Sequence, residues 1–165
     1  MRIRTRQLLI AASTLALLSS LLIAGPAFAQ ADRLEGVWLA NEMILSGCPT
    51  GNVVHTVPDM LLLGRGGALV ENSDGVGIGA PPLTRLGPGL GTWAHVAGLH
   101  FTQHFTFFRY DPTDDGSAGL QVINKDIELS TDGNSYTSTG TADIFGPDGV
   151  KITTRCTRGS ATRLD

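Results

Sequence analysis

The stretch LHFTQHFTFFRY, Leu99 to Tyr110, gathers two of the four histidines and four of the six phenylalanines of a 165-residue chain. Imidazoles bind metals or move protons, and phenylalanines wall apolar pockets. His100 and His104 share one face of a strand but stand about 13 Å apart at roughly 3.3 Å per residue. Ligands of one tetrahedral ion sit about 2 Å from it, so these two are not a pair. Were Ala97-Gly98 a two-residue turn, His95 would lie opposite His100 with Cβ atoms about 5 Å apart. No third ligand stands nearby, so no metal site is expected.

Other chemistry-bearing residues are sparse. The chain has no Gly-x-Ser-x-Gly, no His-Glu-x-x-His and no phosphate-cradling loop. No catalytic residue and no cofactor are expected from it. Asp114-Asp115 falls in a turn, and Asp126 and Glu128 share an outward face with Leu120, Val122 and Asn124. Cys48 and Cys156 are the two cysteines. An even pair in an exported chain reads as one disulfide, here closing a loop of about 108 residues. Without a C-x-x-C, a redox or thiolate metal site is disfavoured.

The start of the chain supplies the export signal. Arg2, Arg4 and Arg6 precede the apolar run Leu8–Ile23, and Ala27-Phe28-Ala29 offers a small-residue cleavage site. Residues 1–29 are therefore expected to be a cleaved signal peptide, and 30–165 a single domain in the periplasm or outside the cell. The apolar run falls short of the roughly 20 residues that span a bilayer. Loss of three of the 12 basic residues leaves 9 against 15 acidic ones, a net charge of −6. That balance argues against nucleic acid and anionic membrane surfaces as partners.

From Glu35 onward the chain reads as strand after strand. Glu35–Leu45, Val53–Gly64, Ala68–Asn72, Gly91–Val96, Leu99–Tyr110, Leu120–Ser130, Tyr136–Phe145 and Val150–Thr157 are the segments, the last running on towards Leu164. Ser73–Gly91, rich in Gly and Pro, reads as a long loop that is neither helix nor central strand. Eight strands joined mostly by short turns predict an all-β, up-and-down antiparallel barrel, since closure removes both edges. A two-sheet sandwich is the other arrangement of the same strands.

Alternation then sorts the side chains. Phe101, Gln103, Phe105 and Phe107 share the inward face of the fifth segment, and the histidines face away. Lys125 interrupts the apolar face of the sixth. If Trp38 points inward, Glu42 does too. A few polar groups in an apolar interior are what a ligand pocket shows. Lys125 would hold a carboxylate head group or pair with Glu42; alternatively these long side chains reach the barrel mouth and its water. Tyr136 and Trp93 either line the pocket or plug an end.

Gly36-Val37-Trp38 on the first strand and Arg163 on the last resemble the arrangement of lipocalin-like, calycin-type barrels. The resemblance implies an indole at the closed end covered by an arginine from the final strand. The segments RLGPGLGTW, FTFFRYD, DIELSTDGNSYTSTG and the terminal ATRL resemble small exported bacterial barrels of unassigned function. No helix is expected after the last strand. The expected function is binding of a small hydrophobic or amphipathic molecule, with Trp38, Phe101, Gln103, Phe105, Phe107 and Lys125 at the site. Two alternatives are a cyclase or isomerase using Glu42, Lys125 or His55, and a solid-cored structural barrel.

Overall fold

The computed structural model describes residues 32–73 and 84–164, so the expected signal peptide at 1–29 lies outside the described residues. The strands are β1 (Gly36–Leu45), β2 (Val53–Leu63), β3 (Ala68–Ser73), β4 (Arg85–Leu86), β5 (Gly89–Ala97), β6 (His100–Tyr110), β7 (Ser117–Leu129), β8 (Ser135–Phe145) and β9 (Lys151–Leu164). Apart from β4, each strand pairs antiparallel with the next along the chain. β9 returns to β1, with Trp38 opposite Arg163 and Glu42 opposite Gly159. Eight long strands thus form a closed up-and-down barrel, as alternation and turn spacing predict. No α-helix occurs among the described residues, and β9 runs to Leu164.

The Gly/Pro-rich stretch is shorter as a loop than its composition suggests. Arg85 and Leu86 pair with Tyr110 and Arg109, and β5 begins at Gly89 rather than Gly91. Glycine enters the strand because β6 fills the space beside it. A Cβ on Gly89 would lie 2.8 Å from the Phe107 ring.

The β5–β6 turn also corrects the histidine pairing. A bulge sets His95 opposite Phe101 and Ala97 opposite His100, so His95 and His100 do not face each other. A bulge puts two residues against one and re-aims the side chains beyond it. The His95 ring stacks 5.0 Å from Phe101 and its Nε2 is 3.0 Å from the Gly98 carbonyl. His100 pairs instead with Glu128 on the outside.

Burial alternates strictly along β6 and along β7 from Gly119, which fixes the inside of the barrel. Trp38, Leu61, Leu63, Leu69, Phe101, Phe105, Ile127, Leu129 and Tyr136 form its core. Outward positions of β7, β8 and β9 are mostly polar, among them Asn124, Asp126, Thr137, Thr139, Arg158 and Ser160. The outward faces of β1, β2, β3 and β5 instead expose Leu39, Met60, Leu62, Val70 and Leu90. The Cys48–Cys156 disulfide forms as the pairing of cysteines predicts, tying the β1–β2 connection to β9.

Candidate functional site

The barrel interior has two unlike ends. At one, the indole of Trp38 donates to the Leu34 carbonyl at 2.9 Å, and its ring lies 4.9 Å from Tyr136. The Arg163 guanidinium covers the indole at 4.3 Å from the ring centroid. It donates to the carbonyls of Arg33, Glu35 and Gly133, so its charge is satisfied by backbone. Gly36 has φ +136°, and a Cβ there would meet Arg163 Nη1 at 2.5 Å. Glycine, tryptophan and arginine at these three positions therefore form one closing device, as the calycin resemblance implies. Trp93 packs 6.1 Å from Phe101, and its Nε1 donates to the Gly64 carbonyl. Tyr136 and Trp93 plug this end rather than line a pocket.

The other end is polar within. Lys125 on β7 donates to Glu42 on β1 at 2.7 Å, and Ser138 on β8 donates to the same carboxylate oxygen at 3.2 Å. Gln103 and Lys125 are only 2% and 4% exposed, so neither reaches the mouth. Of the two roles open to Lys125, the pairing with Glu42 is the one that forms. Two further carboxyls join them, Asp59 from β2 and Glu71 from β3, both buried.

These groups border a cavity of about 30 Å³, the space of roughly two water-sized spheres. Glu42, Asp59, Glu71, Lys125, Gln121 and Thr157 line its polar side. Ser73 adds a hydroxyl to the lining, and Ile44, Val57, Leu86, Phe105, Phe107 and Ile123 form the apolar wall. Lys125 Nζ also lies 5.1 Å from the Phe105 ring centroid, within cation–π range.

Burial dominates the electrostatics. It pushes the Asp59 carboxyl up to about 9, helped by the negative charge of Glu71 beside it and by a hydrogen bond to Glu71. Burial also raises Glu71, although Lys125 and the hydrogen bond from Asp59 pull the other way. The two acids thus share a proton at neutral pH, as closely placed carboxyls do. Burial alone would lower the Lys125 ammonium, but Glu42 and then Glu71 hold it above its ordinary range. Desolvation raises the Tyr136 phenol. Several buried atoms at the cavity have no hydrogen-bond partner among the described residues: Glu42 Oε2, Asp59 Oδ1, Glu71 Oε2, Gln121 Oε1 and Thr157 Oγ1. Each such group ordinarily costs about 1–3 kcal/mol if nothing meets it.

The structure therefore brings Phe105, Phe107 and Lys125 together at the cavity. Trp38 and Phe101 belong to the packed end, and Gln103 sits in the register pair with Lys125. His55 is exposed on β2 and outside the cavity lining. Asp59, Glu71, Gln121 and Thr157 join the site without having been expected there. Alternation carries the signal for two of them: Asp59 lies in phase with Val57, Leu61 and Leu63, and Glu71 with Leu69. Among the described residues, no group of three or more His, Cys, Asp or Glu side chains is arranged to hold a metal ion.

No protein-family model matches the chain, and no curated protein matches it either. The closed eight-stranded barrel is consistent with the lipocalin and calycin fold.

Proposed function

We propose that this is an exported, lipocalin-like barrel that binds one small amphipathic molecule in its interior, in the periplasm or outside the cell. The observation that carries this reading is a cavity with two chemically distinct walls. One is aromatic and aliphatic, around Phe105, Phe107 and Ile123; the other holds buried acceptors with nothing to accept from. An apolar wall supplies burial and a few polar groups set orientation. Phe105, Phe107 and Lys125 form the contact surface, while Trp38 and Phe101 belong to the packed closed end and Gln103 pairs in register with Lys125. The enclosed volume is that of a head group alone, so a guest's carbons must lie towards the open side of the cavity, which disfavours a long-chain lipid.

The test is a nuclear magnetic resonance titration of the purified protein with C3–C6 molecules bearing neutral, cationic or anionic heads. The expected result is saturable perturbation of Phe105, Phe107 and Ile123 by at least one of them. Perturbation confined to outward residues, or none at 50 mM, would overturn the reading.

A further inference from the structure

We propose that the head group taken by this cavity is an organic ammonium, seated against Asp59 and Glu71 with Gln121 and Thr157 completing its hydrogen bonds. This rests on the interior-binding reading above and narrows its ligand class.

The inventory of unpartnered atoms points that way. Of the unpartnered buried atoms, those that line the cavity are Glu42 Oε2, Asp59 Oδ1, Glu71 Oε2 and Gln121 Oε1, all carboxyl or amide oxygens, and the Thr157 hydroxyl; Gln103 Nε2 and the Tyr136 hydroxyl, which can donate, lie outside that lining. Gln121 and Thr157 are 2% and 5% exposed and come from β7 and β9, independently of the acidic pair. A guest that satisfies them must be rich in donors. A primary ammonium carries three N–H groups and no acceptor, the complement of that set.

The charges exclude the alternatives. An anionic head would need a free cation, but Lys125 is engaged by Glu42 at 2.7 Å. It would also meet Glu71 and Asp59. A bare divalent ion is disfavoured because the three carboxyls, from three different strands, are not arranged as a metal-binding group. The rings of Phe105 and Phe107 stand 5.5 Å apart, meet edge to face and line the cavity beside the acids, an apolar wall for the guest's carbons.

Binding is then an exchange. The acidic pair holds a proton in the free protein, and an ammonium entering beside it replaces that proton's charge. The titratable groups facing the pair are Glu42 on β1, Lys125 on β7 and Tyr136 on β8. On β6, Arg109 is turned away to Thr84 Oγ1 at 3.2 Å and to the Ala118 carbonyl. Affinity should therefore rise with pH until the pair gives up its proton unaided.

The experiment compares butylammonium with 1-butanol and butyrate, three probes of similar shape and different charge. Calorimetry is run at pH 6, 7 and 8 in buffers of different ionisation enthalpy. The expected result is that butylammonium binds at least tenfold more tightly than 1-butanol at pH 8. Its affinity should rise severalfold per pH unit, with release of close to one proton. The double variant D59N/E71Q, which keeps size and hydrogen-bonding capacity, should lose both the preference and the proton release. Because that variant can misfold, the pH dependence of the unmodified protein stands as an independent readout. Butanol or butyrate binding as well as butylammonium, or a pH-independent affinity without proton release, would overturn the ammonium assignment and leave interior binding intact. No binding by any of the three would overturn both.

Discussion

The two ends of the barrel are made of the same strands and the same alternation, yet they solve opposite problems. At the closed end Arg163 donates to three backbone carbonyls and lies over Trp38, and the neighbouring Arg33 likewise donates to a backbone carbonyl, that of Thr131. At the other end, three carboxyls and one ammonium are buried together, and only part of their hydrogen-bonding capacity is met within the chain. The first arrangement is self-sufficient; the second is conditional on something else. Stability belongs to the end whose charge is satisfied. Binding belongs to the end where acceptors are left over, since a natural core rarely retains such groups without use.

The comparison breaks first at Trp38. Trp38→Ala removes the largest buried side chain, the donor to Leu34 and the surface on which Arg163 rests. The expected loss is about 5 kcal/mol, at the upper end for a buried tryptophan. Measured by chemical denaturation, a loss under about 1 kcal/mol would show that the closed end does not carry the stability assigned to it. If the two ends are as separate as the packing suggests, a milder Trp38→Phe variant should leave butylammonium binding unchanged.

At the polar end the sign depends on how many partners are removed. Lys125→Met leaves Glu42 as a buried carboxylate without its ammonium, and should cost about 3 kcal/mol. The double variant Glu42→Leu/Lys125→Met removes both charges and should recover most of that loss, because a buried ion pair roughly balances its own desolvation. Melting temperatures of the two variants decide it. A double variant less stable than Lys125→Met would make the ion pair a net stabiliser and erase the contrast between the ends.

Much of this is legible in the sequence, and the illegible part has a physical reason. Eight strands, closure, the disulfide and the inward placement of Phe105, Gln103 and Lys125 follow from a period of two and from turn residues, which are local. Gly36, Trp38 and Arg163 are recognisable as a set because their types are unusual together. Two kinds of feature escape. Asp59 and Glu71 hide because an acid in a strand reads as a surface residue by composition, and only its phase with Leu61 and Leu69 says otherwise. The bulge near Val96 moves His95 off His100; a one-residue irregularity leaves no trace in residue types.

The last test needs no substitution in the protein and bears directly on Asp59. Its carboxyl is raised from 3.8 to about 9 in the folded chain, so between those values the folded state binds a proton that the unfolded state has released. Stability from this group is fully present below about pH 4 and is lost as pH rises towards 9. One proton held over these three pH units is worth about 4 kcal/mol, so the melting temperature should fall on the order of 10 °C from pH 5 to pH 8, a slope opposite to that of a salt-bridged acid. Asp59→Asn carries no titrating proton there and should flatten the slope. The ordinary acids at the exposed turns do not blur this test. Asp111 and Asp132 are held below their usual range by hydrogen bonds from Thr113 and Ser130, so their contribution is lost only at more acidic pH. Saturating butylammonium should flatten the slope as Asp59→Asn does, by putting a positive charge where the proton was. Scanning calorimetry across pH 5 to 8 measures all three slopes. A melting temperature that rises with pH in the unmodified protein would mean that Asp59 is ionised when folded, and the acidic pair would then have no proton to exchange for a guest's charge.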